Sequence, residues 1–391
     1  MEDIVIVDGV RTAIGTLGGS FAETPVTELG AIVVREAIQR AGMQPEQVDQ
    51  VIMGNVGGAP EDAYFARNAS LKAGLPIETP ALAVSRACGS GLEAIHNAAR
   101  WIQSGDAEVV VAGGAENMTR IPYFLRKART GYRYGHDVLE DGIQAMLTDP
   151  NTDMIMGITA ENLAAKFELS RQVQDEYALR SQERAAHAIE AGYFDSQIVP
   201  VEVRKGRDKV MFARDEHPRG TTMENLAKLR PVFKQDGDVT AGNSSGINDG
   251  AAAVVVTTAS KAKELGLRPR MRMLSRAVSG VDPKIMGSGP IPASQAALKR
   301  ANLTVDDMDV IELNEAFASV AAACSLGLNL PLDKTNPNGG AIALGHPVGA
   351  TGTILTVKLM NELERTGGRY GLVTLCIGGG QGIAAVFERI S

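Results

Sequence analysis

The chain has 391 residues, 44% of them apolar and 22% charged, the proportions of an ordinary globular protein rather than a disordered, collagenous or disulfide-stapled one. Acidic residues number 46 against 39 basic, a formal net charge of −7, which leaves no electrostatic footprint for nucleic acid. Three cysteines, without metal-ligand spacing, argue against a disulfide framework or zinc site and for a reducing compartment. With no basic stretch before the apolar start and no run of eighteen apolar residues, a soluble cytoplasmic protein of two or three domains is expected.

Short β-branched runs alternate with helical patterns. Strands are predicted at IVIV (4–7), QVIM (50–53), EVVVAGG (108–114) and AAAVVV (251–256), with helices near 26–41, 62–73 and from Cys88 onward. The last carries Leu92, Ile95, Ala99 and Ile102 on one stripe, the period of a helix with one buried face. Residues 118–248 break this α/β rhythm. They are richer in Arg, Asp, Glu, Tyr and His, with one amphipathic helix at 171–191, and read as an insertion of the kind that covers active sites. Within it, RKGR at 204–207 reads as a solvated hairpin. After residue 268 the order returns: strand 270–278, helix 292–300, strand 309–313, helices 314–327 and 348–364, strands 371–376 and 382–388.

The two parts also match locally. QVIMGN ends at Asn55 and DVIELN at Asn314, each followed at a similar interval by a glycine-flanked helix start, CGSG at 88–91 and GATG at 349–352. AGG at 112–114 and IGGG at 377–380 then close a strand in each. The chain therefore reads as internally duplicated: 1–117 with 249–268 as one core half, 118–248 as the insertion, 269–391 as the other half.

A cysteine at the first turn of a helix meets unpaired N–H groups and the positive dipole end, which favour a thiolate over a thiol of pKa ~8.5. Cys88, in SRACGSGLEAI, is placed that way, and Gly89 and Gly91 let a substrate or another backbone come close. The alternative for its residue type is a small buried core cysteine. Among the five histidines, His96 stands down the same helix, about 12 Å along its axis and out of reach. His136, His187 and His217 lie in polar segments where solvated side chains are expected. His346, in NGGAIALGHPVGATG, precedes a helix that Pro347 can open, mirroring Cys88; otherwise it is a loop histidine bonded to its own backbone. Cys376 ends the strand LVTLC ahead of IGGGQG, at the carboxyl end where α/β sheets build sites. Cys324, on an Ala-rich helical face, reads as core. Asn314 and Glu315 stand where a strand gives way to a helix, and capping alone explains the asparagine.

With CGSG, NEAF, GHPVGATG and CIGGGQG in this order, and with VRTAIGTLGGS, MGITAEN (156–162), LRPVF (229–233), TAGNSSGINDGAA (240–252) and MGSGPIPA (286–293), the chain resembles the thiolase family from end to end. These are acetyl-CoA C-acyltransferases that make or cleave 3-ketoacyl-CoA; ketoacyl synthases share the fold but lack this combination. The resemblance implies an α/β, thiolase-like fold: two similar mixed-sheet core halves in a layered αβαβα arrangement, plus an inserted CoA-binding loop domain. It implies that Cys88 becomes acylated, that His346 takes its proton, and that Cys376 is the acid/base at the α-carbon of acetyl-CoA. Backbone N–H groups of Cys88 and Gly378 would hold the thioester oxygen of the acyl-enzyme, and His346 with a water on Asn314 the enolate oxygen. A carbanion beside a thioester forms only where preorganised donors meet its oxygen.

For CoA the resemblance implies Arg219 and Ser245 at the nucleotide and pantetheine, with Leu147, Met156, Phe233, Ala241, Met286 and Phe317 lining a tunnel. Core packing is the alternative for the apolar ones. It implies no metal and no cofactor, since CoA is a substrate, and as partners acyl-CoA thioesters and further copies of the chain in a dimer or tetramer. One departure stands out. Short-chain acetoacetyl-type members often carry histidine just before MGxTAEN, where this chain has Ile155, which argues against exclusive acetoacetyl-CoA specificity. Two rival readings remain: a silent lipid-binding or scaffold member is expected to lose a thiol or the histidine, and a CoA-thioester hydrolase would not require Cys376.

Overall fold

The computed structural model describes residues 2–390; Met1 and Ser391, the outermost residues of the two assigned halves, lie outside them. The first β-branched runs form β1 (Ile4–Thr12), β2 (Gln50–Gly54), β3 (Ala81–Val84), β4 (Val110–Asn117) and β5 (Asn248–Thr258). The later ones form β6 (Met271–Gly280), β7 (Val310–Leu313), β8 (Tyr370–Ile377) and β9 (Gln381–Arg389). From β1 outward the neighbours are antiparallel β5, antiparallel β4, parallel β2 and parallel β3. From β6 they are antiparallel β9, antiparallel β8 and parallel β7. The duplicated sequence pattern is thus a duplicated topology, in which, among these nine strands, β3 alone lacks a strand counterpart; in its place Thr335 makes an isolated parallel bridge to Ile311. The halves join where β1 and β6 pair antiparallel at Val5–Arg272 and Ile6–Met271.

Side-chain alternation along the strands sorts the core into layers. In β8, Val373, Leu375 and Ile377 pack with Leu92 and Ile95 of α3 (Ser90–Ser104) and Leu355 and Leu359 of a late helix, Thr351–Thr366. Leu372 and Cys376 of the same strand face Ala297, Val320 and Cys324 instead. In β5, Val254 and Val256 join the first group, while Val255 packs with Val33 of α1 (Val26–Arg40) and Phe65 of α2 (Phe65–Ala73). The order is therefore outer helices, sheet half, two central helices, sheet half, outer helices, the latter being Pro290–Ala301 and Ala318–Leu328. The insertion supplies α4 (Met156–Lys166) and α5 (Arg171–Glu190), so the outer pair is α6 and α7 and the late central helix is α8.

The central helices touch almost backbone to backbone. A Cβ on Gly352 would lie 2.3 Å from the Leu92 nitrogen, and one on Gly91 2.9 Å from that of Thr353. Gly91 therefore serves helix packing rather than access for a substrate, and a Cβ on Gly89 would meet Ile377 at 2.7 Å.

The insertion is anchored in the core sheet. Ile198–Val199 pairs parallel with the end of β1. The fully buried Arg11 makes a two-pronged ion pair with Asp215 (2.8 and 2.9 Å), which also accepts the Ile14 N–H. RKGR lies in an exposed hairpin, Val201–Lys205 with Asp208–Phe212, as expected. Among the described residues no helix is long and apolar enough to cross a membrane.

Candidate active site

Cys88 sits in the turn between β3 and α3; the helix starts at Ser90 and not at the cysteine itself. Ala87 has φ 41°, a left-handed conformation that a residue with a Cβ adopts only where its surroundings enforce it. Ser90 supplies that constraint: its Oγ donates to the Ala87 carbonyl (2.7 Å) and accepts the Arg86 N–H (2.8 Å). The backbone N–H groups of Gly378 and of Cys88 itself act to favour the charged form of the Cys88 thiol. Burial nevertheless pushes the thiol pKa up, and the buried Glu116 carboxylate adds to the rise. The expected thiolate preference is reversed because desolvation of the charged form outweighs the two donors.

His346 approaches from the other half. The chain reaches it through Gly345 at φ +107°, where a Cβ would stand 2.6 Å from the Asn248 amide carbon. Asn248 Oδ1 then accepts the His346 backbone N–H (2.9 Å). The imidazole Nδ1 lies 2.6 Å from Thr351 Oγ1 and Nε2 lies 3.3 Å from Asn314 Nδ2. Burial lowers the pKa of the ring to about 4. Asn314 is buried at the end of β7, and its Oδ1 has no protein partner.

The helix predicted from residue 314 begins only at Ala318. NEAF is held out of the helix because the buried Glu315 carboxylate accepts from Ser181 Oγ (2.6 Å), Asn336 Nδ2 (2.8 Å) and the Ile342 N–H (3.3 Å). Asn314 is therefore no cap; it is held beside His346.

Cys376 is fully buried at the carboxyl end of β8. Burial and the neighbouring Cys88 and Cys324 raise its pKa well above the ordinary range, so it is a neutral thiol. Cys324 is core, its Sγ donating to the Gly287 carbonyl (3.2 Å). Gly378, two residues beyond Cys376, faces Cys88 on one side and Met156 on the other, where its Cβ would stand 3.3 Å from the Met156 sulfur.

The remaining residues expected at CoA belong to the insertion, except Met286 and Phe317 of the second half. Leu147 packs with Cys88 around Met118, Ile121 and Val348, and its carbonyl accepts the Met156 N–H (2.8 Å). Phe233 covers Gly157 and meets the Phe317 ring edge-on at 6.1 Å. Ser245 donates its N–H to the Ala316 carbonyl (3.0 Å). Arg219, exposed, donates to the Ala241 carbonyl (3.1 Å) and lines with Ala241, Leu226 and Leu229 a cavity of about 250 Å³. A larger groove of about 800 Å³, between α5 and residues 213–221, shares Arg219 with it. Met286 is buried in the core around α4 and α7, so packing accounts for it.

Three residues of the site escaped sequence reasoning: Thr351, Asn248 and Glu116. Glu116 is buried, and its carboxylate accepts from Asn55 Nδ2 and the N–H groups of Val56, Gly57 and Gly349, all at 2.8 to 3.1 Å. It ties the turn after β2 to the turn that carries His346, and burial pushes its pKa up to about 8. The one signal was an acid in the otherwise apolar run VVVAGGAEN. His217, expected in solvent, is half-buried: it hydrogen-bonds the Ile342 backbone, packs on Gly246, and has its pKa lowered to about 4 by desolvation. His96 is fully buried, its ring nitrogens without a hydrogen-bond partner among the described residues and its Nδ1 3.9 Å from Glu93 Oε2.

A layered, duplicated α/β fold with two thiols and a histidine at the meeting point of its halves defines an acyl-transfer enzyme. The thiolase N-terminal domain family matches residues 4–260 and the thiolase C-terminal domain family residues 267–389. The chain is 53% identical to "Beta-ketothiolase BktB" of Cupriavidus necator and 50% to an acetyl-CoA acetyltransferase of the same organism, each match covering 100% of both chains. Among solved structures, the Bacillus anthracis acetyl-CoA acetyltransferase superposes with TM-score 0.98 at 46% identity, covering 100% of this chain and 99% of that one. Human mitochondrial 3-ketoacyl-CoA thiolase in complex with CoA gives 0.96 at 45%, covering 100% and 98%. The chain belongs to the thiolase family. It is an acyltransferase of the thiolase reaction, the CoA-dependent cleavage of 3-ketoacyl-CoA to acyl-CoA and acetyl-CoA and the reverse Claisen condensation.

Proposed function

We propose that the reaction runs through an acyl-Cys88 intermediate. In the resting site, burial raises the Cys88 thiol and lowers His346 to about 4, so thiol and imidazole are both neutral. Proton transfer from Cys88 to His346 Nε2 accompanies attack of the sulfur on the 3-keto carbon. The tetrahedral oxygen is held by the N–H groups of Cys88 and Gly378, the donors that favour negative charge on the sulfur at rest. The Cα–Cβ bond then breaks, its electron pair passing to the acetyl-CoA fragment as an enolate. His346, now carrying the Nε2 proton, and a water on the unpaired Oδ1 of Asn314 hold the enolate oxygen. Cys376 delivers its proton to the α-carbon and acetyl-CoA leaves. In the second half, the Cys376 thiolate takes the proton of the incoming CoA thiol, the CoA sulfur attacks the thioester, and Cys88 departs and recovers its proton from His346.

The observation that carries this reading is the meeting, from the two halves, of Cys88 with the Gly378 N–H that favours its charged form and with the buried, neutral thiol of Cys376. Trapping tests it. Brief incubation with acetyl-CoA followed by mass mapping should place the acetyl group on Cys88; acetylation of Cys324 instead would refute the assignment.

The insertion of residues 118–248 into the first core half then serves as the CoA-binding loop domain, with Arg219, Ala241 and Ser245 at the outer part of the CoA path and Phe233, Leu147 and Met156, joined by Phe317 of the second half, nearer Cys88. CoA is a substrate and no further cofactor is needed. A homo-oligomer is supported by the partly exposed edge strand β3 and by exposed Tyr123, Phe124, Leu125, Tyr134, Val138 and Leu139, apolar surface and an open sheet edge of the kind proteins cover. A cytoplasmic location fits the acidic, cysteine-poor composition.

A further inference from the structure

A histidine that takes a proton at Nε2 must present a bare lone pair there, so its other nitrogen must carry the hydrogen. Enzymes commonly secure that tautomer with a carboxylate on Nδ1. Here the group on Nδ1 is a hydroxyl, Thr351 Oγ1 at 2.6 Å, five residues along the chain at the first position of α8. A hydroxyl can donate or accept, and its own surroundings decide between them. Thr351 Oγ1 also lies 3.0 Å from the Pro347 carbonyl, an oxygen that only accepts. That carbonyl already takes the backbone N–H groups of Ala350 and Thr351, the shared acceptance common at helix ends. With the hydroxyl proton on Pro347, the oxygen presents a lone pair to Nδ1, and the imidazole hydrogen must lie between them.

The opposite side of the ring is consistent with that assignment. Nε2 faces Asn314 Nδ2 at 3.3 Å, a donor that requires a bare nitrogen. The reverse tautomer would turn the Asn314 amide around and remove the unpaired Oδ1 from the place where a water is needed.

We propose that Thr351 is the positioning residue that fixes His346 in the Nδ1–H tautomer, through a hydroxyl whose own proton rests on the Pro347 carbonyl. Being uncharged, it orients the ring without the stabilisation that a carboxylate would give the imidazolium. His346 therefore stays a weak base that returns its proton readily. The proposal rests on His346 acting as the base, but the tautomer itself is a property of the resting enzyme and can be read without turnover.

Two variants separate hydroxyl from bulk. Thr351→Val keeps the shape and loses the hydroxyl; Thr351→Ser keeps the hydroxyl and loses a methyl. In 15N magic-angle-spinning spectra of histidine-labelled full-length enzyme, with His346 identified by its loss in His346→Asn, the parent and Thr351→Ser should show a protonated Nδ1. Thr351→Val should show a mixture or the Nε2–H form. A wrong tautomer in a serine-protease triad costs ~10⁴ in kcat; with a weaker neutral partner, Thr351→Val should lose at least tenfold in kcat with KM for the ketoacyl-CoA little changed, and Thr351→Ser should recover most of it. A parent spectrum with an unprotonated Nδ1, a Thr351→Val enzyme of parent kcat, or Thr351→Ser impaired as much as Thr351→Val would each overturn the proposal. If acetylation maps away from Cys88 while the tautomer shift is still seen, the reaction assignment fails and the positioning role stands.

Discussion

Replacing Gly352 by alanine tests whether the central helix contact sets the catalytic geometry. The added Cβ would lie 2.3 Å from the Leu92 nitrogen and 2.7 Å from its Cβ, where ordinary contact begins near 3.4 Å, so α3 and α8 must separate by about 1 Å as close-packed interiors cannot absorb the overlap. Alanine is the better helix former by about 1 kcal/mol, so any destabilisation comes from the clash, and overpacking of this kind costs ~1–3 kcal/mol. For cooperative unfolding of a chain this long, that is a fall in Tm of roughly 1–4 °C. The rate is the more sensitive readout. Cys88 precedes α3 and His346 precedes α8, and a misplacement of about 1 Å between reacting groups can cost ~10²-fold. Steady-state thiolysis should show kcat down by about that factor, with KM for CoA little changed because the CoA-contacting positions lie elsewhere. Gly91→Ala acts on the same contact, with Cβ 2.8 Å from Thr353 Oγ1, so the double variant should fall short of additivity. A Gly352→Ala enzyme with parental kcat and Tm would refute the reasoning.

Other expectations follow from the same geometry. Iodoacetamide should modify Cys88 before Cys324 and Cys376, with a rate that rises with pH through an apparent pKa above the ordinary ~8.5; a plateau already reached below pH 7 would show a resting thiolate. Cys376→Ala should keep acylation of Cys88 while deuterium uptake into acetyl-CoA from heavy water falls by ~10² or more, and exchange at the parental rate would remove Cys376 from proton transfer. His346 and His217 are held neutral with pKa near 4 against 6.5, so the unfolded chain binds their protons first and stability is lost as pH falls from 6.5 towards 4. The raised carboxyls of Glu116 and Glu312 act with the opposite sign over this range, so the readout is a difference between proteins: in urea titrations His217→Gln should gain stability relative to the parent from pH 7 to pH 5, and an unchanged difference would count against it. Ile155 stands next to Met156 at the start of α4, and each buried methylene adds about 0.8 kcal/mol, so kcat/KM should not fall steeply from four-carbon to six-carbon ketoacyl-CoA; a steep fall would assign the pocket to acetoacetyl chains alone.

Much of the architecture was legible because it depends on local patterns. Short apolar runs rich in β-branched residues, as in EVVVAGG and LVTLC, mark strands whichever neighbours they acquire, and the repeated order of elements pointed to two halves with the matching strand pairings found in each. Cys88, His346 and Cys376 could be singled out because each is a reactive residue beside glycines at an element end, a signal carried by a few adjacent letters. What needed tertiary structure was everything set by the surroundings of a group. A thiol near a helix start suggests a thiolate, yet burial raises it, because desolvation is summed over neighbours distant in the chain. Glu116 gathers donors from residues 55–57 and 349, and Gly91 owes its lack of a side chain to residues 350–353; no local stretch contains either relationship. His217 reads as polar loop from its neighbours in sequence but is covered by Gly246 and Ile342 in space. Local sequence determined which residues can react and on which elements they sit; long-range packing decided their protonation, their tautomer and their distance from one another, because those depend on contacts that only the assembled halves create.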